Sequence, residues 1–296
     1  MEALAIDPDG IYLDGTFGRG GHARALLARL SATGRLLGLD RDPQAVAAGA
    51  ELAGCDPRFT MEHAPFSRMA EVTRRHGFFG QVSGLLLDLG VSSPQLEAPE
   101  RGFSFLVDGP LDMRMDTGGG RTAAQWLMQA GEGEIAGVLR EYGEERHARR
   151  IARAIVRARI EQPILGTHAL AQIVAAANPS REPGRHPATR TFQAIRIRIN
   201  RELEELGACL AGVCDLLTAG GRLVVISFHS LEDRIVKRFV RDEARGDRFP
   251  RGVPVTVRET RARLRPVGKP VRPSTAEVAV NPRARSARIR VAERLA

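Results

Sequence analysis

The chain of 296 residues has few cysteines, few aromatic residues and no long apolar run. Its three cysteines, Cys55, Cys209 and Cys214, show no CxxC spacing, which argues against a disulfide framework and a zinc site. No apolar run approaches the ~18 residues that a membrane span requires. The first residues also lack the basic flank and apolar segment of a secretory signal. We therefore expect a cytoplasmic location, with no membrane association and no metal.

Lysine is nearly absent, since only Lys237 and Lys269 occur among the 44 basic residues. Codon usage in a GC-rich genome would explain the preference for arginine, but it does not explain the net charge of +9. An excess of this sign predicts a polyanionic partner, and nucleic acid is favoured. Aromatic residues make up only 5% of the chain, so platforms for base stacking are few.

The first ninety residues alternate between strand and helix signals. Asp42 and Pro43 are typical of a helix start, with Asp at the N-cap and Pro at the first helical position. The alternation predicts a parallel sheet covered on both faces. The predicted strands of this region are Ile11–Leu13, Arg35–Asp40, Phe59–Glu62 and Gln81–Leu89.

The pattern then changes to a long loop followed by helical signals only, with a helix predicted over Glu144–Ile160. Apolar residues from Phe192 to Leu206 recur at helical spacing, and Arg222–Phe228 is the strongest strand signal. Ser230 and Asp233 predict a capping box for the next helix. We divide the chain into a core of residues 1–100 and 187–296 and a helical insert of residues 101–186, which we expect to recognise RNA.

A glycine-rich loop, Asp14–His22, separates the first strand from the first helix. Glycines there allow a ligand to approach the backbone, and Asp40, after the second strand, can accept both hydroxyls of a ribose. Gly18-x-Gly20-x-x-Ala23 also fits a dinucleotide fingerprint. Asp14 favours S-adenosylmethionine, because a carboxylate can bind its ammonium and would repel a pyrophosphate. A tight turn without any ligand is the structural alternative.

Two further residues follow strands at the same predicted edge. Phe66 could cover an adenine or simply pack in the core. Asp88 ends the fourth strand, where amino-group methyltransferases usually have an acidic or Asn residue, two prolines and an aromatic residue, a motif absent here. A carboxylate that accepts an N–H of an exocyclic amine directs the nitrogen lone pair towards a methyl group. We therefore predict that Asp88 is catalytic, with cofactor binding or capping of the next turn as alternatives.

Eight segments resemble those of one family, the bacterial ribosomal RNA small-subunit methyltransferase H family, also called MraW. The resemblance extends from residue 12 to residue 293. The segments are YLDGTFGRGGH (Tyr12–His22), LGLDRDP (Leu37–Pro43), LLLDLGVSSPQL (Leu85–Leu96), RGFSF (Arg101–Phe105), DMRMD (Asp112–Asp116), TFQAIRIRIN (Thr191–Asn200), GGRLVVISFHSLEDRIVK (Gly220–Lys237) and NPRARSARIRVAE (Asn281–Glu293).

The resemblance implies an α/β Rossmann-like core with an all-helical insert, and S-adenosylmethionine as cofactor. It also implies N4-methylation of a cytosine, cytosine 1402, in 16S rRNA of the small ribosomal subunit. Family members usually have a His-x-x-Val-type segment before the first strand, whereas only eleven residues precede Tyr12 here. The cofactor contacts implied by the resemblance are Gly20, Gly21, His22, Asp40, Phe66, Asp88 and Gln95.

Arginines recur on one face of the predicted helix Glu144–Ile160 and in the helix that follows the insert. We expect four of them to bind rRNA phosphates: Arg149, Arg153, Arg157 and Arg196. A solvated helix face is the structural alternative. A methyltransferase of another nucleic acid, an NAD-type oxidoreductase and a non-catalytic RNA-binding ribosome-assembly factor are the alternative functions.

Overall fold

The structure is a computed structural model that describes residues 1–179, 184, 186–247 and 261–296. Its strands are β1 Ile11–Asp14, β2 Arg35–Asp40, β3 Phe59–His63, β4 Val82–Asp88, β5 Leu217–Ser227, β6 Leu264–Pro266 and β7 Arg288–Arg294. Its α-helices are α1 Gly21–Leu27, α2 Pro43–Cys55, α3 Met69–Arg75, α4 Ser93–Glu97, α5 Ala123–Gln129, α6 Glu132–Gly143, α7 Ala148–Glu161, α8 Thr167–Ala177, α9 Thr189–Asn200, α10 Glu202–Leu216, α11 Ser230–Arg245 and α12 Thr275–Val280.

These elements form two compact units. The first contains Met1–Gly90 and Leu203–Ala296, and the second contains Val91–Glu202. None of the helices described is long and apolar enough to cross a membrane.

The first unit is built on a seven-stranded sheet with the order β3-β2-β1-β4-β5-β7-β6. Its strands are parallel except β7, which is antiparallel to both of its neighbours. The predicted α/β Rossmann-like core is confirmed. The strand order reverses at β1 and β4, and ligands of open α/β sheets bind at the carboxyl ends of the strands beside such a reversal.

Apolar residues cover both faces of this sheet, as the continuous apolar run in β4 predicts. Alternate side chains of a strand point to opposite faces. Leu85 and Leu87 accordingly belong to one buried cluster, together with residues of α10 and α11. Leu86 and Tyr12 belong to another, together with residues of α1 and α2. Burial on both faces keeps the strand ends, and the polar residues on them, in defined positions.

The second unit has an apolar core of its own, to which α5 to α9 contribute. It includes Trp126, Leu139, Ile151, Leu170 and Ile195. The unit is wider than the predicted insert of residues 101–186, because α9 shares this core and the chain joins the unit from Val91 onward.

Three predicted helix boundaries were wrong. The predicted helix over Phe192–Leu206 is interrupted at Arg201, whose φ of 52° ends α9. Glu144 ends α6 with a φ of 49°, and α7 begins only at Ala148. The capping box of α11 is formed by His229 and Glu232, not by Ser230 and Asp233. Asp233 instead accepts hydrogen bonds from two arginines of β7, a long-range contact that the local capping rule does not include.

Candidate active site

Three aspartates end neighbouring parallel strands of the first unit: Asp14 on β1, Asp40 on β2 and Asp88 on β4. Because these strands are adjacent and parallel, their carboxyl ends meet at one edge of the sheet, at the point where the strand order reverses. The loop after β1 and the N-terminus of α1 lie at the same edge. This edge is the candidate active site.

The glycine loop has a conformation that side chains would obstruct. Gly18 and Gly20 have φ values of 58° and 73°, in the left-handed region that favours glycine. A Cβ added to Gly15 would lie 2.6 Å from Leu87 Cδ2, whereas one added to Gly21 would meet nothing within 4 Å. The loop therefore packs closely on the strand at its start and leaves open space at the first residue of α1.

Asp14 is fully buried, and its two carboxylate oxygens differ. Oδ1 accepts a hydrogen bond from the backbone N–H of Thr16 at 3.1 Å. Oδ2 is buried and has no donor among the described residues. Burial raises the pKa of Asp14 to about 7, although the hydrogen bond from Thr16 and the nearby His22 oppose that shift. A cationic ligand at Oδ2 would satisfy this atom and favour the charged form.

Asp40 is held by the loop itself. Its Oδ2 accepts from Gly18 N–H at 2.8 Å, and its Oδ1 accepts from Asp42 N–H at 2.9 Å. Burial raises the pKa of Asp40, while these backbone donors lower it. The backbone of Arg41 also donates to Asp40 and lowers the pKa of that carboxyl. A carboxylate has about four acceptor sites, so acceptor capacity for a ribose hydroxyl is left beside these backbone donors.

Asp88 and His22 form a pair across the site. His22 Nε2 lies 3.2 Å from Asp88 Oδ2, and this hydrogen bond is the main reason that the pKa of His22 is raised. The N–H of Asp88 donates to Thr16 Oγ1 at 2.6 Å, which ties the end of β4 to the glycine loop. Asp88 Oδ1 is buried and has no donor within the described ranges. One oxygen of Asp88 is thus oriented by His22, while the other is left for a ligand.

Phe66 begins a 3-10 turn after β3 and is half-buried against the apolar core. A Cβ at Gly15 would lie 3.3 Å from Phe66 Cβ, so Phe66 borders the glycine loop.

Two residues of the site, Gly15 and Thr16, were not predicted from the sequence, although both stand in the Asp-Gly-Thr segment after β1. Thr16 contacts Asp14 and Asp88, and this link depends on the pairing of β1 with β4.

The site fits the donor S-adenosylmethionine, whose ammonium and sulfonium are cationic and whose ribose offers two hydroxyls. The unpartnered oxygens of Asp14 and Asp88 are acceptors that suit a cation or an N–H group. A pyrophosphate at the same place would meet buried negative charge instead. The residues present therefore fit a nucleoside sulfonium better than a dinucleotide.

Comparison with known proteins decides the family. The sequence profile of the MraW methylase family matches residues 1–295. The chain belongs to the MraW methylase family. Ribosomal RNA small subunit methyltransferase H of Thioalkalivibrio sulfidiphilus is 60% identical over 297 residues, covering 100% of this chain and 95% of that protein. The protein of the same name from Nitrosospira multiformis is 59% identical, with 100% and 94% covered.

An rRNA methylase from Streptococcus thermophilus is a similar solved structure. It aligns over 99% of this chain and 92% of its own, with a TM-score of 0.44 and 10% identity. The fold assignment rests on the strand order described above. Membership of the MraW methylase family confirms the expected family and S-adenosylmethionine as cofactor.

Gln95, the last cofactor contact implied by the resemblance to MraW methylases, lies on α4 of the second unit. Its side-chain oxygen accepts the N–H of Ser92 at 2.9 Å and completes a capping box. The role of Gln95 towards the cofactor stays a prediction.

The predicted RNA-binding arginines of this MraW methylase fall into two groups. Arg149, Arg153 and Arg157 are exposed on α7, opposite its buried face of alanines and isoleucines. Of these, Arg153 lies 3.5 Å from Glu132. Arg196 differs, because its guanidinium makes two hydrogen bonds to Glu202, at 2.8 and 2.9 Å, and is only 16% exposed. Arg196 thus has a partner within the second unit, and its binding to rRNA phosphates stays a prediction.

Proposed function

We propose that the chain transfers a methyl group from S-adenosylmethionine to the N4 amine of cytosine 1402 in 16S rRNA. The coarser activity, methylation of small-subunit rRNA, is supported by family membership and by relatives named ribosomal RNA small subunit methyltransferase H. The observation that supports the amine as acceptor is the buried, unpartnered Oδ1 of Asp88 at the carboxyl end of β4. We assign the protein to the cytoplasm, where its proposed substrate is found.

In this proposal Asp88 binds the amine. The exocyclic nitrogen of cytosine is a weak nucleophile, because its lone pair is delocalised into the ring. When Asp88 Oδ1 accepts one N–H of the amine, the lone pair is directed out of the ring plane and the charge that develops on nitrogen is stabilised. The proton that the methylated amine loses passes to Asp88 Oδ1. The pair with His22 holds Asp88 in this orientation.

The other residues position the donor. S-adenosylmethionine supplies a methyl group on a positively charged sulfur, which is already a good leaving group. Asp14 would hold the ammonium, Asp40 would accept a hydrogen bond from the ribose, and Phe66 would pack against the adenine. Gly21, where an added Cβ would meet nothing within 4 Å, leaves room for the methionine end of the donor beside the N-terminus of α1, whereas a Cβ at Gly20 would lie 2.6 Å from Phe17 Cζ. These contacts align the two reactants, which is the main contribution that a protein makes to such a displacement.

The second unit supplies substrate recognition in this proposal. The exposed arginines Arg149, Arg153 and Arg157 lie at i, i+4 and i+8 on α7 and therefore form one stripe. Such a stripe suits the phosphate backbone, which binds by charge and carries no base sequence information directly. Recognition of the target cytosine itself is assigned to the site at the sheet edge.

The test is incubation of the protein with radiolabelled S-adenosylmethionine and unmodified small ribosomal subunits, followed by digestion to nucleosides. We expect labelled N4-methylcytidine from the wild type and almost none from Asp88→Asn. Label in another nucleoside, or in DNA, would replace the proposal with a different nucleic-acid methyltransferase. Binding of the cofactor and of the subunit without any transfer would instead support a non-catalytic assembly factor.

A further inference from the structure

Helix α11 of the first unit separates its side chains by charge. Val236 and Val240 are buried on one side. The helix also contains five basic residues, and all of them are exposed. At 100° per residue these five lie within an arc of about 100° on the opposite side. They are Arg234, Lys237, Arg238, Arg241 and Arg245, and we call them the α11 basic face.

The acidic residues of the same helix mostly face the protein interior. Asp233 is buried and accepts hydrogen bonds from Arg290 at 2.7 Å and from Arg288 at 2.8 Å, both on β7. Glu243 accepts a hydrogen bond from Arg263 at 2.6 Å. These acids neutralise arginines that pack against the helix from the neighbouring strands and loops.

The remaining acids of α11 lie near the two ends of the helix. Glu232 is buried at the N-terminus of the helix, where it accepts the backbone N–H groups of Phe228 and His229. Asp242 is exposed and pairs with Arg241, its neighbour in sequence, at 2.8 Å. Among the described residues no ion pair involves Lys237, Arg238 or Arg245. The outward surface of α11 therefore has a clear excess of positive charge.

This separation of charges is unfavourable for a helix that only faces water. Solvated helix faces usually mix charges of both signs, because pairs of like charge at i and i+4 destabilise a helix. Arg234 with Arg238, and Arg241 with Arg245, are such pairs. The one aromatic residue of the helix, Phe239, packs against the core cluster, so the α11 basic face offers no ring for base stacking. These features favour a ligand recognised by charge alone.

We propose that the α11 basic face binds the phosphate backbone of the substrate RNA, as a second contact surface that is separate from the arginines of α7. Arg234 and Arg245 are eleven residues apart, so the face is about 16 Å long at a rise of about 1.5 Å per residue. The inference rests on the proposed function, because it takes small-subunit rRNA as the substrate.

The test uses a triple variant, Lys237→Gln, Arg238→Gln and Arg245→Gln, which removes three positive charges and keeps good helix-forming residues. The matched control removes three charges from exposed positions outside α11: Lys269→Gln, Arg272→Gln and Arg285→Gln. Binding of unmodified small subunits is measured without cofactor over a range of salt concentrations. Affinity for S-adenosylhomocysteine and the melting temperature are measured in parallel to show that the variants are folded.

We expect the slope of log affinity against log salt to fall by about 2 in the α11 variant, at about 0.7 per lost phosphate contact. The control should keep the wild-type slope, and both variants should bind S-adenosylhomocysteine normally. An unchanged slope in the α11 variant, or an equal loss in the control, would overturn the inference. Loss of binding to phosphatidylserine vesicles with RNA binding intact would overturn it in favour of a membrane surface.

The binding experiment, combined with the methyl-transfer assay of the wild type, separates this inference from the proposed function. If the wild type forms N4-methylcytidine and the α11 variant binds RNA as the wild type does, only the RNA-binding role proposed for the α11 basic face is wrong. If the wild type forms no N4-methylcytidine but the α11 variant still loses RNA binding, the surface is supported and the assigned reaction is wrong.

Discussion

Charge is distributed in opposite ways in the two units of this protein. In the first unit, the aspartates at the ends of β1, β2 and β4 are buried or half-buried, and two of their oxygens have no donor among the described residues. In the second unit, the arginines of α7 are exposed, and the opposite face of that helix is apolar. The strand ends of the first unit hold acids away from water, whereas α7 of the second unit presents bases to it.

The difference indicates two kinds of function. A buried carboxylate has a perturbed proton affinity, and a single substitution removes its whole contribution. A single exposed arginine contributes little binding free energy, and salt screens its charge, so its effect on binding appears only when several arginines act together. We therefore expect changes at the strand ends to alter chemistry and cofactor binding, and changes on α7 to alter RNA affinity. The following predictions test this separation, from the largest expected effect to the smallest.

Asp88→Asn should reduce the rate of methyl transfer about 100- to 10,000-fold, the range that a positioned acid or base contributes. The amide keeps the size of the side chain but offers a weaker acceptor for the amine. Single-turnover transfer from S-adenosylmethionine to unmodified subunits measures the effect, and the exposed Asp9→Asn serves as control. RNA affinity should not change. A variant with normal turnover and weakened RNA binding would reverse the division between the two units.

Ile151→Ala should destabilise the second unit by about 2–5 kcal/mol, because a fully buried side chain on α7 leaves a cavity. Arg153→Ala, on the exposed face of the same helix, should change stability by only about 0.5 kcal/mol or less. Chemical denaturation of both variants measures the difference. Equal destabilisation would mean that Arg153 has a structural role, and its assignment to RNA would lose support.

Asp14→Asn should weaken cofactor binding about 10- to 100-fold, since a hydrogen bond to a charged group contributes about 1.5–3 kcal/mol. The pKa of Asp14 is raised to about 7, so the cofactor-free protein holds a proton there at lower pH. Binding of a cation releases that proton. Wild-type affinity should therefore rise with pH up to about 7 and then level off, while the variant changes less.

Calorimetry in buffers of different ionisation enthalpy detects this proton release. The charges of His22, Asp88 and Asp40 also act on the pKa of Asp14: that of His22 lowers it, and those of Asp88 and Asp40 raise it. The contribution of Asp14 to the free energy of unfolding changes with pH in the opposite direction. Because the folded pKa of Asp14 lies above the ordinary value of 3.8, its contribution to the free energy of unfolding is lost as pH rises from about 4 to about 7. A wild-type affinity that does not vary between pH 5.5 and 8 would contradict the assignment of Asp14.

Replacing Arg149, Arg153 and Arg157 together by glutamine should lower the salt slope of rRNA binding by about 2, at about 0.7 per phosphate contact. The matched control replaces the same three residues by lysine, which keeps the charge, and its slope should equal that of the wild type. Cofactor affinity should be the same in both variants. If the glutamine variant keeps the full slope, α7 is a solvated face and recognition lies elsewhere.

Local sequence signals predicted much of the core. The strands β1 to β4 lie where apolar runs and turn residues predicted them, and Asp42 caps α2 as expected. The boundaries in the helical region were less accurate, because residues that favour a cap also occur inside helices. Gly143, the last residue of α6, lies against α9: a Cβ there would be 2.8 Å from the carbonyl oxygen of Arg190. That constraint arises from a residue 47 positions away in the sequence.

The site was predicted in its parts. Asp14, Asp40 and Asp88 were found because each follows an apolar run, a local pattern. Two interactions could not be found in this way: Thr16 accepting from Asp88 N–H across 72 residues, and the pairing of Arg196 with Glu202. The first depends on the register of β1 with β4. The second depends on the turn at Arg201, which brings Glu202 back towards α9.

The sequence by itself determined the order of strands and helices, the glycine loop, the acid at each strand end and the excess of positive charge. These are properties of neighbouring residues, because periodicity and capping act over a few positions. Only the tertiary structure decided which strands are adjacent, which oxygens of Asp14 and Asp88 lack a donor, and which arginines face solvent. Those outcomes depend on contacts between residues far apart in the chain, and the burial that results raises the pKa of Asp14.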